Sequence, residues 1–150
     1  MRLAALLVLI AGTAAFGQAP PAPPPGDPAP PAVVTELQHA LADAVHRFER
    51  MDLEGVLAHV SDRYRTGPLT KPAVRQQLLA MFTANDALAA RVRIDEVRML
   101  GDRAWVYSTG EVTGRLRWLG TPVALLSWQQ APEVAWREGG RWRLIGDQQG

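Results

Sequence analysis

Three histidines and one aspartate–tyrosine pair are the side chains of this sequence most suited to moving protons. They are His39, His46 and His59, and Asp62 with Tyr64 two places on. Imidazole titrates nearest neutral pH, so a histidine aimed into a pocket would be the natural general base. At roughly 100° per residue, His39 and His46 fall opposite the apolar stripe centred on Leu37, Leu41 and Phe48. His59 falls beside the apolar face of the next short helix. None of the three is expected to be catalytic. No set of three inward nitrogen or oxygen ligands forms, so no metal site is expected. Asp62 could abstract a proton next to a carbonyl if burial raised its pKa. In a loop it would serve equally as a cap or as a partner of Arg63 or Arg65.

Residue types exclude other chemistries. There is no cysteine, hence no thiolate nucleophile, disulfide or thiolate metal site. Glycine-rich phosphate loops and a nucleophile elbow are absent, and no cofactor is implied. Gly110 and Gly114 sit in "STGEVTG", where sharp strand curvature explains them. Lysine plus arginine number 16 against 15 acids, and removing Arg2 with a leader leaves the chain neutral. That balance makes no case for nucleic acid, nor for a membrane partner after leader removal.

The leader is read from "MRLAALLVLIAGTAAFGQA", residues 1–19: one arginine, an apolar run from Leu3 to Ala11, then small residues. This is the order of a secretory signal peptide. Ala15 and Gly17 place a cleavage before Gln18; an uncleaved anchor is the alternative. The run is shorter than the roughly 20 residues of a membrane span. An exported protein, periplasmic or extracellular, is expected. Residues 20–32, "PPAPPPGDPAPPA", form a proline-rich spacer expected to join neither helix nor sheet. One domain, 33–150, remains.

Its first half is helical by period. Leu37, Ala40, Leu41, Ala44, Val45, Phe48 and Met51 make one stripe, with Thr35 as the expected cap. Asp52 should cap a short helix carrying Leu53, Val56, Leu57 and Val60, and Thr70 a third with Val74, Leu78, Met81 and Phe82 inward. The period then changes to two. Strands are expected over residues 90–100, 104–118, 121–138 and 141–147, with a bulge where parity shifts at Asp95–Glu96 and a bulge or bend at Pro132. On the second strand the even positions point inward. The odd ones, Trp105, Tyr107, Glu111 and Arg115 among them, point outward, and Arg115 can pair with Glu111. In "WREGGRWRLIGDQ", Gly139–Gly140 supply a hairpin turn and Trp142 packs toward the helices. The fold class is α+β: three helices, then a strongly curved antiparallel sheet of four to six strands, a cystatin-like cone with a pocket.

The order helix, short helix, loop, helix, followed by "MLGDRAWVYSTGEVTG" and the terminal "WREGGRWRLIGDQ", resembles the nuclear transport factor 2-like superfamily. More narrowly it is similar to the bacterial SnoaL-like, polyketide-cyclase-like branch. The resemblance covers Leu37 to Gln148, and its motifs mark the fold more than an activity. It implies that an aspartate inside the cone, assisted by tyrosine, histidine or tryptophan, would act where the protein is an enzyme; Asp62 and Tyr64 are the candidates. It also implies pairing through outer sheet faces, which makes Trp105, Tyr107, Glu111 and Arg115 a candidate homodimer interface. The pocket lining expected is Tyr64, Phe82, Ser108 and Trp128, apolar with a few hydroxyls. A small apolar or amphipathic ligand is the leading functional expectation. A proton-transfer isomerase, cyclase or dehydratase using Asp62 and Tyr64 is the second, and a dimeric association module without ligand the third.

Overall fold

A computed structural model describes residues 25–148. The leader and the first part of the spacer lie outside the described residues. The spacer's last residues do join the fold. Asp27–Pro28 form a short strand, β1, paired with Met99 and Arg98, and Pro31 opens the first helix. Proline is tolerated at both places because an edge strand and a first helical turn each spare one N–H.

Helix α1 therefore runs Pro31–Glu49, five residues earlier than a Thr35 cap requires. Thr35 lies inside it, its hydroxyl donating back to the Pro31 carbonyl at 3.1 Å. Leu37, Leu41, Ala44 and Phe48 are its buried face, as the stripe predicts. Asp52 caps α2, Leu53–Leu57, by accepting from Gly55 N at 3.0 Å. Short strands β2, Arg65–Thr66, and β3, Leu69–Thr70, make a hairpin before α3, Lys71–Ala84. Thr70 precedes α3 without a side-chain cap bond.

Four strands complete the sheet: β4 Asn85–Leu100, β5 Arg103–Leu116, β6 Pro122–Glu138 and β7 Arg141–Leu144. All pair antiparallel, in the order β1-β4-β5-β6-β7. The α+β architecture holds: three helices on a five-stranded antiparallel sheet. Register shifts bend it. One falls between Ile94 and Glu96, at the expected parity change. Others fall at Ser108/Gly110 and Val112/Thr113 against β6. The first of these uses Gln130, at positive φ, rather than Pro132. Pro132 instead pairs with Tyr107 on a stretch of β6 that β7 does not reach, where a missing N–H is tolerated.

The even residues of β5 face the helices: Ala104, Val106, Ser108 and Val112 are buried. They meet Leu37, Leu41, Phe48, Leu78 and Phe82 in one core. Gly139 and Gly140 hold positive φ in the β6–β7 turn, and Trp142 and Leu144 turn inward. β7 is shorter than the sequence suggests. The chain after Leu144 leaves the ladder, and Ile145 N bonds the Val134 carbonyl. The open side of β7 is covered by the segment after α2: Leu144 N donates to His59 O and Ser61 N to Leu144 O, both at 2.9 Å.

Candidate functional site

Asp62 does not enter the cone. Its side chain is 90% exposed and accepts a 2.7 Å bond from Lys71 Nζ. The Lys71 hydrogen bond and charge hold its carboxyl below the usual range, the opposite of what a buried general base needs. Tyr64, two residues on, is 2% exposed and part of the core. Ser61 is buried and Asp62 turns outward, so the loop separates the two side chains. They share no cavity.

The expected pocket lining is mostly filling. Phe82 packs on Phe48 with ring centroids 5.7 Å apart. Trp128 Nε1 donates to Ser108 Oγ at 3.1 Å, satisfying two buried polar groups with one bond. The Trp128 ring lies over Gly110, where a Cβ would stand 2.5 Å from Cζ2. All four side chains are buried, and none of them lines the inner cavity. Trp128 also borders an open groove with Arg91, Arg93, Glu111 and Gln129.

A cavity of about 20 Å³ lies beneath α1 and the closing hairpin. Leu37, Ala40, Ile94, Val106, Ala135 and Leu144 line it, together with His59, Trp142 and Arg143. That is room for roughly one water. Ala40, His59 and Trp142 also border an outer groove of about 410 Å³, with Glu36, His39, Asp43, Arg137 and Arg141. The cavity and the groove therefore meet at the same three residues.

His59 is the polar centre of this junction. It is buried, contrary to its expected place beside the helix face. The reason is long-range: β7 covers it, which helical periodicity of α2 cannot reveal. His59 Nε2 and Asp43 Oδ2 are 2.7 Å apart. The His59 hydrogen bond, outweighing burial and helped by Arg47, holds the Asp43 carboxyl below its usual range. An ionised carboxylate only accepts, so Nε2 carries the hydrogen and Nδ1 of a neutral ring keeps its lone pair. At the groove's far wall Glu36 accepts from Trp142 Nε1 at 2.7 Å and from Arg137, whose Cζ lies 4.6 Å from the Trp142 ring centre. These bonds, the Trp142 one first, lower the Glu36 pKa. His39 and His46 are exposed, as expected.

Sequence reasoning missed one inward carboxylate. Glu133 is 7% exposed and sits opposite Val106, hence on the face toward the helices. Period-two counting back from Trp142 through the hairpin gives this orientation, but the bulge at Gln130 hides the parity when one counts forward. On the opposite face, Trp105 and Tyr107 are half-buried, and Glu111 and Arg115 are exposed. Arg115 bonds Asp86 at 2.6 Å rather than Glu111, whose nearest cation is Arg91 at 4.0 Å. Among the described residues no group of three acids and histidines could hold a metal, and no helix is long and apolar enough to cross a membrane.

No protein-family model and no curated protein matches this sequence. Solved structures do. A Novosphingobium aromaticivorans protein provisionally assigned as a scytalone dehydratase superposes with a TM-score of 0.67 at 13% identity, over 76% of this chain and 80% of that one. A provisionally assigned dehydratase of the nuclear transport factor 2-like family, from Streptomyces avermitilis, gives a TM-score of 0.62 at 16% identity, over 77% and 94% of the two chains. This chain has the nuclear transport factor 2-like fold. A ketosteroid isomerase-like protein from Erwinia carotovora atroseptica adds a TM-score of 0.59 at 20% identity, over 75% of this chain and 90% of that one. Identities this low carry the nuclear transport factor 2-like architecture and no activity.

Proposed function

We propose that this is an exported domain that binds a small amphipathic molecule at the junction of the inner cavity and the outer groove. One observation carries the reading: Ala40, His59 and Trp142 line both spaces, so one ligand can span them. A short apolar end would enter between Leu37, Ala40 and Val106. A polar end would stay with His59, Arg137 and Arg141 in the groove. The inner space of about 20 Å³ limits that apolar end to little more than a methyl group unless side chains move. Most of the ligand therefore occupies the groove. The test is an NMR titration of labelled protein with short-chain carboxylates and alcohols. Shifts converging on Ala40, His59 and Trp142, and lost in Ala40→Trp, support the reading. Shifts elsewhere, or none, remove it.

A second reading, proton transfer, is favoured by the His59–Asp43 pair, which replaces Asp62 and Tyr64 as its acid–base group. Chemically related dehydratase and isomerase assignments belong to structural neighbours and come to this chain only as this proposal. Loss of α-proton exchange in a ketone panel on His59→Asn, with binding retained, would support it. We propose further that the domain pairs as a homodimer through the outer sheet face. The half-buried Trp105 and Tyr107 there sit beside the exposed Glu111 and Arg115. Trp and Arg are enriched at interface hot spots.

A further inference from the structure

The face of the sheet turned away from the helices carries a second set of polar groups, across the β6–β7 ladder from the His59 junction. Trp136 lies on β6 facing away from the helices, half-buried, with Arg63 Cζ 4.7 Å and Arg103 Cζ 5.9 Å from its ring centre. Arg103 opens β5 beside Trp136, since Ala104 pairs with Ala135. Arg63 arrives from the loop after α2. That loop is held in place: Arg63 N donates to Ser61 Oγ at 3.1 Å, and Arg63 O accepts from Gln148 Nε2 at 3.0 Å.

The charges there are unbalanced. Arg98, Arg115, Arg137 and Arg143 each have a carboxylate within 4.0 Å. Among the described residues Arg63 and Arg103 have none. The acids nearest in sequence are committed elsewhere. Asp62 is bound to Lys71, and Glu138 takes the Ser61 hydroxyl at 2.9 Å and faces Arg143 at 3.9 Å. The same face holds the indole N–H groups of Trp105 and Trp136, which find no acceptor among the described residues. Those two N–H groups are buried, so the donors that the surface itself offers are the guanidinium groups of Arg63 and Arg103. A guanidinium resting on an indole uses its π face, and its in-plane N–H donors remain available as a fork.

We propose that Arg63, Arg103 and Trp136 form a binding site for an oxyanion group, a phosphate or carboxylate. Forked guanidinium donors recognise planar or tetrahedral oxyanions bidentately. The indole fixes the arginine stems, which reduces the side-chain entropy lost on binding. A free anion and an anionic lipid headgroup present the same chemistry.

The experiment uses the protein labelled at arginine Nε and tryptophan Nε1. It is titrated with inorganic phosphate and with acetate, against sodium chloride at matched ionic strength. The expected result is a saturable shift at Arg63, Arg103 and Trp136, weakened about tenfold or more in Arg63→Ala/Arg103→Ala. Arg63→Lys/Arg103→Lys keeps the charge and loses the fork, so it should bind more weakly than wild type. The Trp142 Nε1 resonance reports the other site and should not move. Co-sedimentation with phosphatidylglycerol vesicles, but not phosphatidylcholine vesicles, assigns a headgroup as the source. Phosphate binding without sedimentation assigns a free anion. Shifts no larger than those from chloride, or unchanged in a double variant that retains the wild-type spectrum elsewhere, overturn the proposal.

Discussion

Trp142 joins the closing hairpin, the core and the proposed site, so truncating it tests all three at once. Its ring is 8% exposed, its Nε1 donates to Glu36 at 2.7 Å, and Arg137 lies over it. Trp142→Phe keeps much of the buried ring. It removes one hydrogen bond whose acceptor, the exposed Glu36, can turn to water and Arg137, so the cost should be about 1 kcal/mol. Trp142→Ala also loses apolar burial and leaves a hole, for about 3–5 kcal/mol. A domain of this size with roughly 5–15 kcal/mol in hand should still fold. The melting temperature should fall by roughly 3–5 °C per kcal/mol. Because Trp142 lines both inner cavity and outer groove, the alanine variant should merge them into one open pocket. Indole should then bind and restore stability, by about 2.7 kcal/mol at a hundred times its Kd. Urea titration with and without indole measures both quantities. An alanine cost below about 1 kcal/mol would mean that Trp142 behaves as a surface residue, and the closing hairpin would not be part of the core. A full cost with no indole rescue would leave the core intact and refute the cavity–groove junction.

Phe48→Ala, at the centre of the α1 stripe, should cost about 3–5 kcal/mol, whereas exposed His46→Ala should cost less than about 0.5 kcal/mol by the same denaturation. The Asp43 carboxyl, lowered from 3.8 chiefly by His59, contributes stability that is present above that value and lost as pH falls through its lower folded pKa. The stability difference between wild type and Asp43→Asn should therefore shrink as acid is added below about pH 4; a constant difference down to full protonation would deny the His59–Asp43 bond. Sedimentation equilibrium should show a dimer dissociated by Trp105→Ala with Glu111→Arg, and a monomeric wild type would end that proposal.

The sequence by itself determined what depends on neighbours along the chain. The α1 stripe of Leu37, Leu41, Ala44 and Phe48, the Asp52 cap, the bulge at Asp95 and the inward parity of β5 are local or periodic features. Each was legible because side-chain direction repeats at 3.6 residues in a helix and two in a strand. The Gly139–Gly140 hairpin with Trp142 inward was legible for the same reason. Tertiary structure alone decided what depends on contacts far apart in sequence. His59 reads as peripheral on α2 and becomes buried only because β7 lies against it. Asp62 reads as a cone carboxylate and becomes a surface ion pair because Lys71 reaches it. Tyr64, Phe82 and Ser108 read as lining and become filling, and Trp128 borders an outer groove, since whether a cone is open or packed depends on how side chains from several elements share one volume. Glu133 and the Arg63–Trp136–Arg103 cluster depend on bulge placement and strand register. These fix which residues share a face, and no periodicity along a single strand encodes them.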